Sequence, residues 1–139
     1  MIRAATLADV PAMVGLGRAF HRWAAPPWEW DAATVERLCA ACVAYDDKTA
    51  LVATRGDAVV GGLLGGVAAS PLHGGLEAHE VAIFVAEDAR GRGPALIRRF
   101  IEWGRARGAQ RTVLQDWSGE AGTLYERLGF RPVSAVWVG

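Results

Sequence analysis

The chain has 139 residues, of which 52% are hydrophobic and 22% are charged, a composition typical of one globular domain and not of a disordered chain. Its 15 basic and 15 acidic residues cancel, whereas a protein that binds nucleic acid normally carries a net positive charge, so no nucleic-acid partner is expected. The most apolar stretch, Ala58–Ala69, contains four glycines and has about half the length of a membrane span, so no membrane association is expected.

The N-terminal segment predicts a strand followed by a helix. Residues 1–6 lack the charged and then apolar pattern of a signal peptide, and we therefore expect a cytoplasmic protein. Residues 2–4 are predicted to form a short strand. Thr6 and Asp9 have the spacing of a capping box, with Asp in place of Glu, which predicts a helix that starts at Thr6 and fades near Phe20.

A tryptophan-rich loop and a second helix follow. Residues 22–30 contain two prolines and three tryptophans and are predicted to form a loop. Asp31 is expected to cap a helix that runs to about residue 45. Cys39 and Cys42 have CxxC spacing within this helix, but no second Cys/His cluster accompanies them. We therefore expect two reduced, buried cysteines and no metal site.

The rest of the chain predicts five strands and two helices. The predicted strands cover residues 49–54, 58–68, 79–85, 111–115 and 133–138, and the first two form a hairpin around Gly56. Residues 94–107 predict an amphipathic helix that ends at Gly108, and residues 119–128 predict a shorter helix closed by Gly129. The order β-α-α-β-β-β-α-β-α-β, without repeats or a linker, indicates a mixed α/β fold in one domain over residues 1–139.

The passage from residue 79 to residue 96 carries the strongest chemical signal. A predicted strand leads into Arg90-Gly91-Arg92-Gly93-Pro94-Ala95, and a helix follows. Glycine-rich turns at helix starts bind phosphate groups, because unpaired backbone N–H groups point outward and the helix dipole favours negative charge. The loop lacks the ending of a P-loop and the three glycines of a dinucleotide fingerprint. The same residues also fit a glycine-capped helix with solvated arginines.

Three motifs give the chain a resemblance to a known family. Arg90-Gly91-Arg92-Gly93-Pro94-Ala95 resembles the Gln/Arg-x-x-Gly-x-Gly/Ala motif of the GNAT superfamily of N-acetyltransferases. Leu124-Tyr125-Glu126-Arg127-Leu128-Gly129-Phe130 is similar to the C-terminal signature of that family, and residues 2–9 are similar to its usual opening. The resemblance covers nearly the whole chain. It implies the GNAT fold, in which a central mixed, mostly antiparallel sheet is flanked by about four helices.

The resemblance implies a coenzyme A site at the glycine-rich loop. In the family this motif joins the fourth strand to the third helix and cradles the pyrophosphate of coenzyme A. The residues implied in binding are Arg90, Gly91, Arg92, Gly93, Ala95 and Leu96. Two departures bear on this site. Pro94 suits the first helical turn but removes one N–H donor, which predicts weakened binding, and Ser118 replaces an Asn of many relatives, which bears on fine positioning.

The resemblance also implies that an amine attacks the thioester of acetyl-CoA directly. In the family, backbone groups of the fourth strand hold the pantetheine arm and polarise the carbonyl, which here implicates Phe84 and Val85. Tyr125 matches the usual general acid, since a Tyr with a pKa of about 10 can protonate the departing thiolate. The alternative is that Tyr125 is only a packed aromatic residue of the last helix.

Glu80 is the candidate general base. A carboxylate beside the coenzyme channel could take the proton of the ammonium group, through a water molecule. Strand alternation predicts that Glu80, Ala82 and Phe84 share one face, with His79 on the opposite face. Glu80 equally fits an exposed charge at the end of the strand, or an anchor for the substrate.

Trp28 and Trp30 are the candidate acceptor-binding residues, because relatives form part of the acceptor site between the first two helices. They could line a pocket or stack on a cationic amine, or they could simply cover the edge of the core. No metal is expected. The implied partner is an amine of a small molecule, peptide or protein, and a homodimer is one expected assembly, since GNAT-like proteins are often dimers.

Three functions are compatible with these residues. The first is an acetyl-CoA-dependent N-acetyltransferase that acts on a primary amine. The second is a catalytically silent coenzyme A-binding or regulatory module, which Pro94 and Ser118 favour. The third is a partner-binding domain that uses the tryptophan-rich loop and binds no coenzyme A. No motif identifies the acceptor.

Overall fold

A five-stranded sheet with helices on both faces forms the molecule in a computed structural model that describes residues 1–117 and 119–139. The sheet order follows the chain, and every strand pair is antiparallel except the last, which is parallel. The strands are β1 (Ile2–Ala4), β2 (Lys48–Arg55), β3 (Ala58–Ala69), β4 (Leu76–Val85) and β5 (Arg111–Val113). The helices are α1 (Val10–Ala24), α2 (Ala32–Ala44), α3 (Gly93–Ala106) and α4 (Gly122–Arg127). This architecture confirms the predicted fold class.

The start of α1 is fixed by the capping box that the sequence predicts. The Thr6 N–H donates to the Asp9 carboxylate at 2.8 Å, within a short 3₁₀ turn that precedes the helix. Arg3 of β1 pairs with Asp9 at 2.7 Å and so ties the helix start to the sheet. α1 continues past the predicted end near Phe20, because the chain turns only at Ala25, which has a left-handed conformation (φ 46°).

Each face of the sheet has its own hydrophobic core. The core on the α3 side contains Leu51, Ala53, Val60, Leu63, Ala78, Ala89, Leu96, Ile97 and Phe100. The core on the α1 and α2 side contains Val10, Met13, Cys39, Cys42, Ala50, Val52, Leu64 and Phe84. The two cysteines are free and buried, as expected, and burial raises the pKa of the Cys39 thiol to about 11. These thiols are therefore protonated at neutral pH.

A β-bulge interrupts β4 beside Glu80. Leu64 of β3 pairs with Ala82, but the next residue, Gly65, pairs with Glu80, so Val81 is an extra residue in β4. Val81 is 44% exposed, which is consistent with its position outside the regular ladder. The bulge interrupts the alternation of side chains along the strand.

The bulge makes the predicted face of Glu80 wrong. Ala82 and Phe84 pack into the core on the α1 and α2 side, whereas Ile83 and Val85 pack on the α3 side. Glu80 pairs with Gly65, and a Cβ atom on Gly65 would meet Phe100 of α3, so Glu80 lies on the α3 side as well. One extra residue moves a side chain to the other face of a sheet, because the side-chain period of a strand is two.

Two strand boundaries and one whole strand differ from the prediction. β4 begins at Leu76, earlier than predicted, and β5 ends at Val113, earlier than predicted. The predicted strand over residues 133–138 is wrong, since these residues form no strand and are exposed. Its β-branched residues favour strand geometry, but propensity alone makes no strand unless a partner edge is paired, and β5 offers only three residues.

The helix ends agree better with the sequence. Gly108 and Gly129 follow α3 and α4 with φ values of 87° and 90°, the left-handed geometry that favours glycine.

Within the described residues, no helix combines the length and the apolar character needed to cross a lipid bilayer.

Candidate functional site

A cavity lies where β4 loses one of its two neighbours. β3 pairs with β4 from Leu76 to Val85, but β5 pairs only with residues 77–79. The sheet therefore opens between β4 and β5 from Glu80 onward. A cavity of ≈ 520 Å³ adjoins this opening, and its walls come from β4, α1, α3, the segment after β5, and α4.

The open edge of β4 presents the backbone of alternate residues. The Ala86 N–H donates to the Val60 carbonyl at 2.8 Å, which identifies this pair as a hydrogen-bonded pair of the β3–β4 ladder. Alternation then directs the backbone groups of Phe84 toward β3, and those of Ile83 and Val85 toward the opening. Phe84 also buries its side chain, which is 3% exposed.

This geometry corrects one predicted site residue. Val85 has backbone groups at the open edge, but Phe84 does not, and Ile83 takes its position. Sequence reasoning missed Ile83 because the phase of a ladder depends on the register with β3, which a sequence does not contain.

Glu80 is buried at the opening. Its side chain is 2% exposed, so it is not the exposed charge at a strand end that one alternative required. The Gln115 N–H donates to its Oε2 at 3.0 Å. Burial raises the pKa of the Glu80 carboxyl to about 7, against a smaller lowering effect of this hydrogen bond. Glu80 therefore exchanges its proton near neutral pH.

Tyr125 of α4 bonds to the backbone of the same residue, Gln115. Its hydroxyl donates to the Gln115 carbonyl at 2.7 Å. Burial raises the pKa of Tyr125 above its ordinary value, and the charges of Glu80 and Asp116 raise it further. The phenol is therefore protonated at neutral pH. Gln115 thus connects the two predicted catalytic residues, a role that leaves no sequence signal because it uses only backbone atoms.

The glycine-rich loop forms the end of a 3₁₀ turn, Glu87–Arg92, and the first residues of α3. A Cβ atom placed on Gly91 or on Gly93 would meet no protein atom within 4 Å, so both glycines border open space. Neither glycine has a positive φ, so neither adopts the left-handed backbone conformation. Their lack of a side chain therefore serves no turn and no packing contact within the protein, which fits a ligand that approaches the backbone closely.

The donors at the start of α3 are fewer than the sequence predicted. The Gly93 N–H donates to the Arg90 carbonyl, and Pro94 has no N–H. Arg92 is the N-cap, so its carbonyl accepts the first intrahelical bond, from Leu96, whose side chain is also fully buried. Ala95 remains as an N–H group that the geometry of α3 leaves without an intrahelical partner.

Both arginines of the loop contact other elements. The Arg90 guanidinium lies over the Trp23 ring, 5.8 Å from its centroid. The Arg92 Nη1 donates to the Thr54 carbonyl at 3.2 Å. Arg90 is nevertheless exposed, as the alternative of solvated arginines required, whereas Arg92 is half-buried.

The predicted acceptor residues do not line the cavity. Trp28 is 47% exposed and contacts the cavity-lining Trp117 edge-on, with ring centroids 5.6 Å apart. Trp30 packs against Gly17 and His21 between α1 and α2, and its buried Nε1 has no hydrogen-bond partner among the described residues. Trp30 thus covers the core edge, the alternative that the sequence left open.

Two further predictions concern Ser118 and metal binding. Ser118, which departs from the family motif, lies outside the described residues. Within residues 1–117 and 119–139, no group of three or more His, Cys, Asp and Glu side chains is arranged to hold a metal ion.

Comparison with known proteins gives a consistent result. The chain matches the acetyltransferase (GNAT) family over residues 18–130. An aminoglycoside acetyltransferase from an uncultured soil metagenomic sample is similar in structure, with 25% identity and a TM-score of 0.72, over 99% of this chain and 95% of that chain. The comparison with curated protein sequences gives no match.

Two other solved structures share the fold at lower identity. An integron cassette protein from the mobile metagenome of Cole Harbour Salt Marsh has 23% identity and a TM-score of 0.82, over 99% of this chain and 88% of that chain. A ribosomal-protein-alanine N-acetyltransferase from Brucella melitensis biovar Abortus 2308 has 21% identity and a TM-score of 0.76, over 99% and 96%.

Proposed function

The chain belongs to the acetyltransferase (GNAT) family, and from this premise we propose that it transfers the acetyl group of acetyl-CoA to a primary amine by direct attack in a ternary complex. The observation that carries the proposal is the convergence of Glu80 and Tyr125 on Gln115 beside the open edge of β4. The acceptor is an amine of a small molecule or of a peptide.

The glycine-rich loop is proposed to hold the phosphate groups of coenzyme A. The open space beside Gly91 and Gly93 fits a ligand in contact with the backbone. Arg90 and Arg92 supply positive charge, and the N-terminus of α3 favours an anion. The Ala95 N–H is a further proposed donor to the phosphate groups. Leu96 is not included, because its N–H donates to the Arg92 carbonyl within α3. When bound, acetyl-CoA supplies the thioester that reacts.

The backbone of β4 is proposed to orient the donor. Ile83 and Val85 direct their N–H and carbonyl groups into the opening, where they can bind the pantetheine arm and the thioester carbonyl. Backbone donors in a strand are held by the sheet, so they stabilise developing negative charge without reorganisation.

Glu80 is proposed to be the general base. A base is most effective when its pKa is near the working pH, and burial raises the pKa of Glu80 to about 7. The bond from the Gln115 N–H fixes one carboxylate oxygen, so the second can accept a proton from the acceptor ammonium, directly or through one water molecule. The unprotonated amine is then the nucleophile.

Tyr125 is proposed to be the general acid. Its raised pKa keeps the phenol protonated, and Tyr125 lines the cavity. Rotation of the hydroxyl from the Gln115 carbonyl to the thiolate sulfur would deliver the proton that the leaving group requires.

The proposal is tested by thermal unfolding with acetyl-CoA, coenzyme A or ATP. Ligand at 100 times its Kd stabilises the native state by about 2.7 kcal/mol, which raises the unfolding midpoint visibly. We expect acetyl-CoA and coenzyme A, but not ATP, to raise it. Gly93→Val should remove this response, because a side chain there would occupy the space beside the backbone; a Cβ atom at Gly93 would meet no protein atom within 4 Å, and circular dichroism checks that the variant folds.

Gly15→Val is the matched control. Gly15 also borders open space, but it lies on the exposed side of α1 and does not line the cavity. Gly15→Val should show the same rise of the unfolding midpoint with acetyl-CoA as the wild-type protein. No response of the wild-type protein at millimolar acetyl-CoA would contradict the proposal and favour the partner-binding function. A response without acetyl transfer to any amine would favour the catalytically silent module.

A further inference from the structure

Helix α1 has two apolar faces: one is fully buried in the hydrophobic core, and the other is only partly buried, with Leu16 and Phe20 packed against the edge of that core. The buried residues of α1 are Val10, Met13 and Gly17. A second set recurs at the spacing i, i+3, i+4, i+7 and lines the cavity: Leu16, Ala19, Phe20 and Trp23. We call this second set the α1 stripe.

The α1 stripe is only partly covered by protein. Trp23 is 49% exposed, and Ala19 is exposed as well. Phe20 is half-buried and packs on Trp23, with ring centroids 5.9 Å apart. Trp117 adds a third half-exposed aromatic ring to the cavity lining. Apolar surface of this kind, beside a candidate active site, is what a ligand with an apolar body would bury.

The charged groups of the cavity favour a cation. Four described lining residues carry carboxyl groups, namely Glu80, Glu87, Asp116 and Glu120, whereas Arg90 carries the positive charge of the lining. Asp116 also accepts a hydrogen bond from the Ala121 N–H at 3.2 Å, at the start of α4, so this carboxylate has a structural role. The apolar wall is contiguous on one helix face and is therefore the stronger guide to the body of the acceptor.

We infer that the acceptor is a primary amine joined by a short chain to an apolar body about the size of an aromatic ring. The amine lies at Glu80, and the body packs on Leu16 and Phe20, beside the Trp23 ring that carries Arg90. This inference rests on the proposed function and adds the substrate class to it.

The inferred reaction transfers the acetyl group from the thioester sulfur to the amine nitrogen. The acceptor ammonium gives one proton to Glu80, and its nitrogen attacks the thioester carbonyl carbon. A C–N bond forms and the C–S bond breaks. The thiolate takes a proton from Tyr125, the excess proton of the new amide passes through water to the Tyr125 phenolate, and Glu80 releases its proton to solvent. The products are an N-acetyl amide and free coenzyme A thiol.

The test compares three amines by the initial rate of thiol release at saturating acetyl-CoA. We expect kcat/KM for 2-phenylethylamine to exceed that for ethylamine at least tenfold, because burial of the ring stabilises the bound state. Spermidine, a flexible polycation without an apolar body, should remain below 2-phenylethylamine. Phe20→Ala should lower the ratio of phenylethylamine to ethylamine at least threefold.

Two further variants keep the test interpretable. Ala19→Phe, at an exposed position of the same stripe, should narrow the cavity and lower the same ratio even if Phe20→Ala fails to fold. Tyr45→Ala removes an aromatic residue that is 61% exposed and does not line the cavity, and it should leave the ratio unchanged.

The outcomes separate the inference from the proposed function. Equal kcat/KM for phenylethylamine and ethylamine, a higher value for spermidine, or an unchanged ratio in both stripe variants would overturn the inference. Transfer to none of the three amines by a protein that still binds acetyl-CoA would also overturn it. A wild-type protein whose unfolding midpoint does not respond to acetyl-CoA would overturn the proposed function itself.

Discussion

Asp9 and Glu80 are both buried carboxyl groups, with 8% and 2% exposure, but their surroundings act in opposite directions. Asp9 accepts hydrogen bonds from Arg3 at 2.7 and 3.0 Å and from the Thr6 N–H, and the Arg3 bond leads the effects that lower its pKa to about 2. Glu80 accepts a hydrogen bond from the Gln115 N–H, and burial raises the pKa of its carboxyl to about 7. The partners of a buried acid thus decide whether it is a fixed charge or a group that exchanges protons.

Glu80→Gln tests this comparison with the largest expected effect. The amide keeps the size of the side chain and can still accept the Gln115 N–H bond, but it cannot take a proton. We expect kcat/KM for acetyl transfer to fall about 10²–10⁴-fold, the usual contribution of a general base. The acetyl-CoA response in thermal unfolding should be unchanged. A variant with wild-type kcat/KM would exclude Glu80 as the base.

Tyr125→Phe is expected to have the second largest effect. It removes the proposed proton donor and the hydrogen bond to the Gln115 carbonyl, which should lower kcat about 10²-fold. The lost hydrogen bond should also destabilise the fold by about 1 kcal/mol, as measured in urea. If only stability changes and kcat does not, then Tyr125 is a packed aromatic residue and not the acid.

Asp9→Asn should affect stability and leave catalysis unchanged. Loss of the charge leaves Arg3 without its partner and weakens the capping box, at an expected cost of about 1–2 kcal/mol in urea unfolding. Asp31→Asn is the matched control, since Asp31 caps α2 at an exposed position and Asn is an equally good N-cap. A large fall in kcat/KM of folded Asp9→Asn would contradict the structural role of Asp9.

The pH dependence of stability should separate the two acids by sign. The pKa of Asp9 is lowered on folding from 3.8, so its stabilising contribution is present above about pH 4 and is lost as the pH falls toward 2. The pKa of Glu80 is raised from 4.5, so stability is lost as the pH rises from about 4.5 through 7. Urea unfolding of the wild type, Asp9→Asn and Glu80→Gln between pH 2 and 8 measures both slopes. Asp9→Asn should remove the slope between about pH 2 and 4, and Glu80→Gln should remove the slope between about pH 4.5 and 7.

Local signals in the sequence predicted much of this molecule. The capping box at Thr6 and Asp9, the left-handed caps at Gly108 and Gly129, and the hairpin around Gly56 each depend on neighbouring residues, and the structure agrees with them. The fold followed from the order of elements and from the family resemblance.

The features that the sequence did not predict depend on contacts between distant segments. The bulge at Val81 arises from the register with β3, and it reversed the expected face of Glu80. Gln115 acts only through its backbone, and the second apolar face of α1 needs the cavity beside it to be recognised. Residues 133–138 have a strong local preference for strand geometry but form no strand, because no sheet edge pairs with them.

The most direct test of the account is carbon-13 NMR of the Glu80 and Asp9 carboxyl carbons in one sample, titrated from pH 2 to 9 with and without acetyl-CoA. The account predicts a Glu80 midpoint near 7 and an Asp9 midpoint near 2. It also predicts that acetyl-CoA changes the Glu80 signal and leaves the Asp9 signal unchanged. A Glu80 midpoint near 4.5 with no response to acetyl-CoA would contradict its assignment as the base of an acetyl-CoA site.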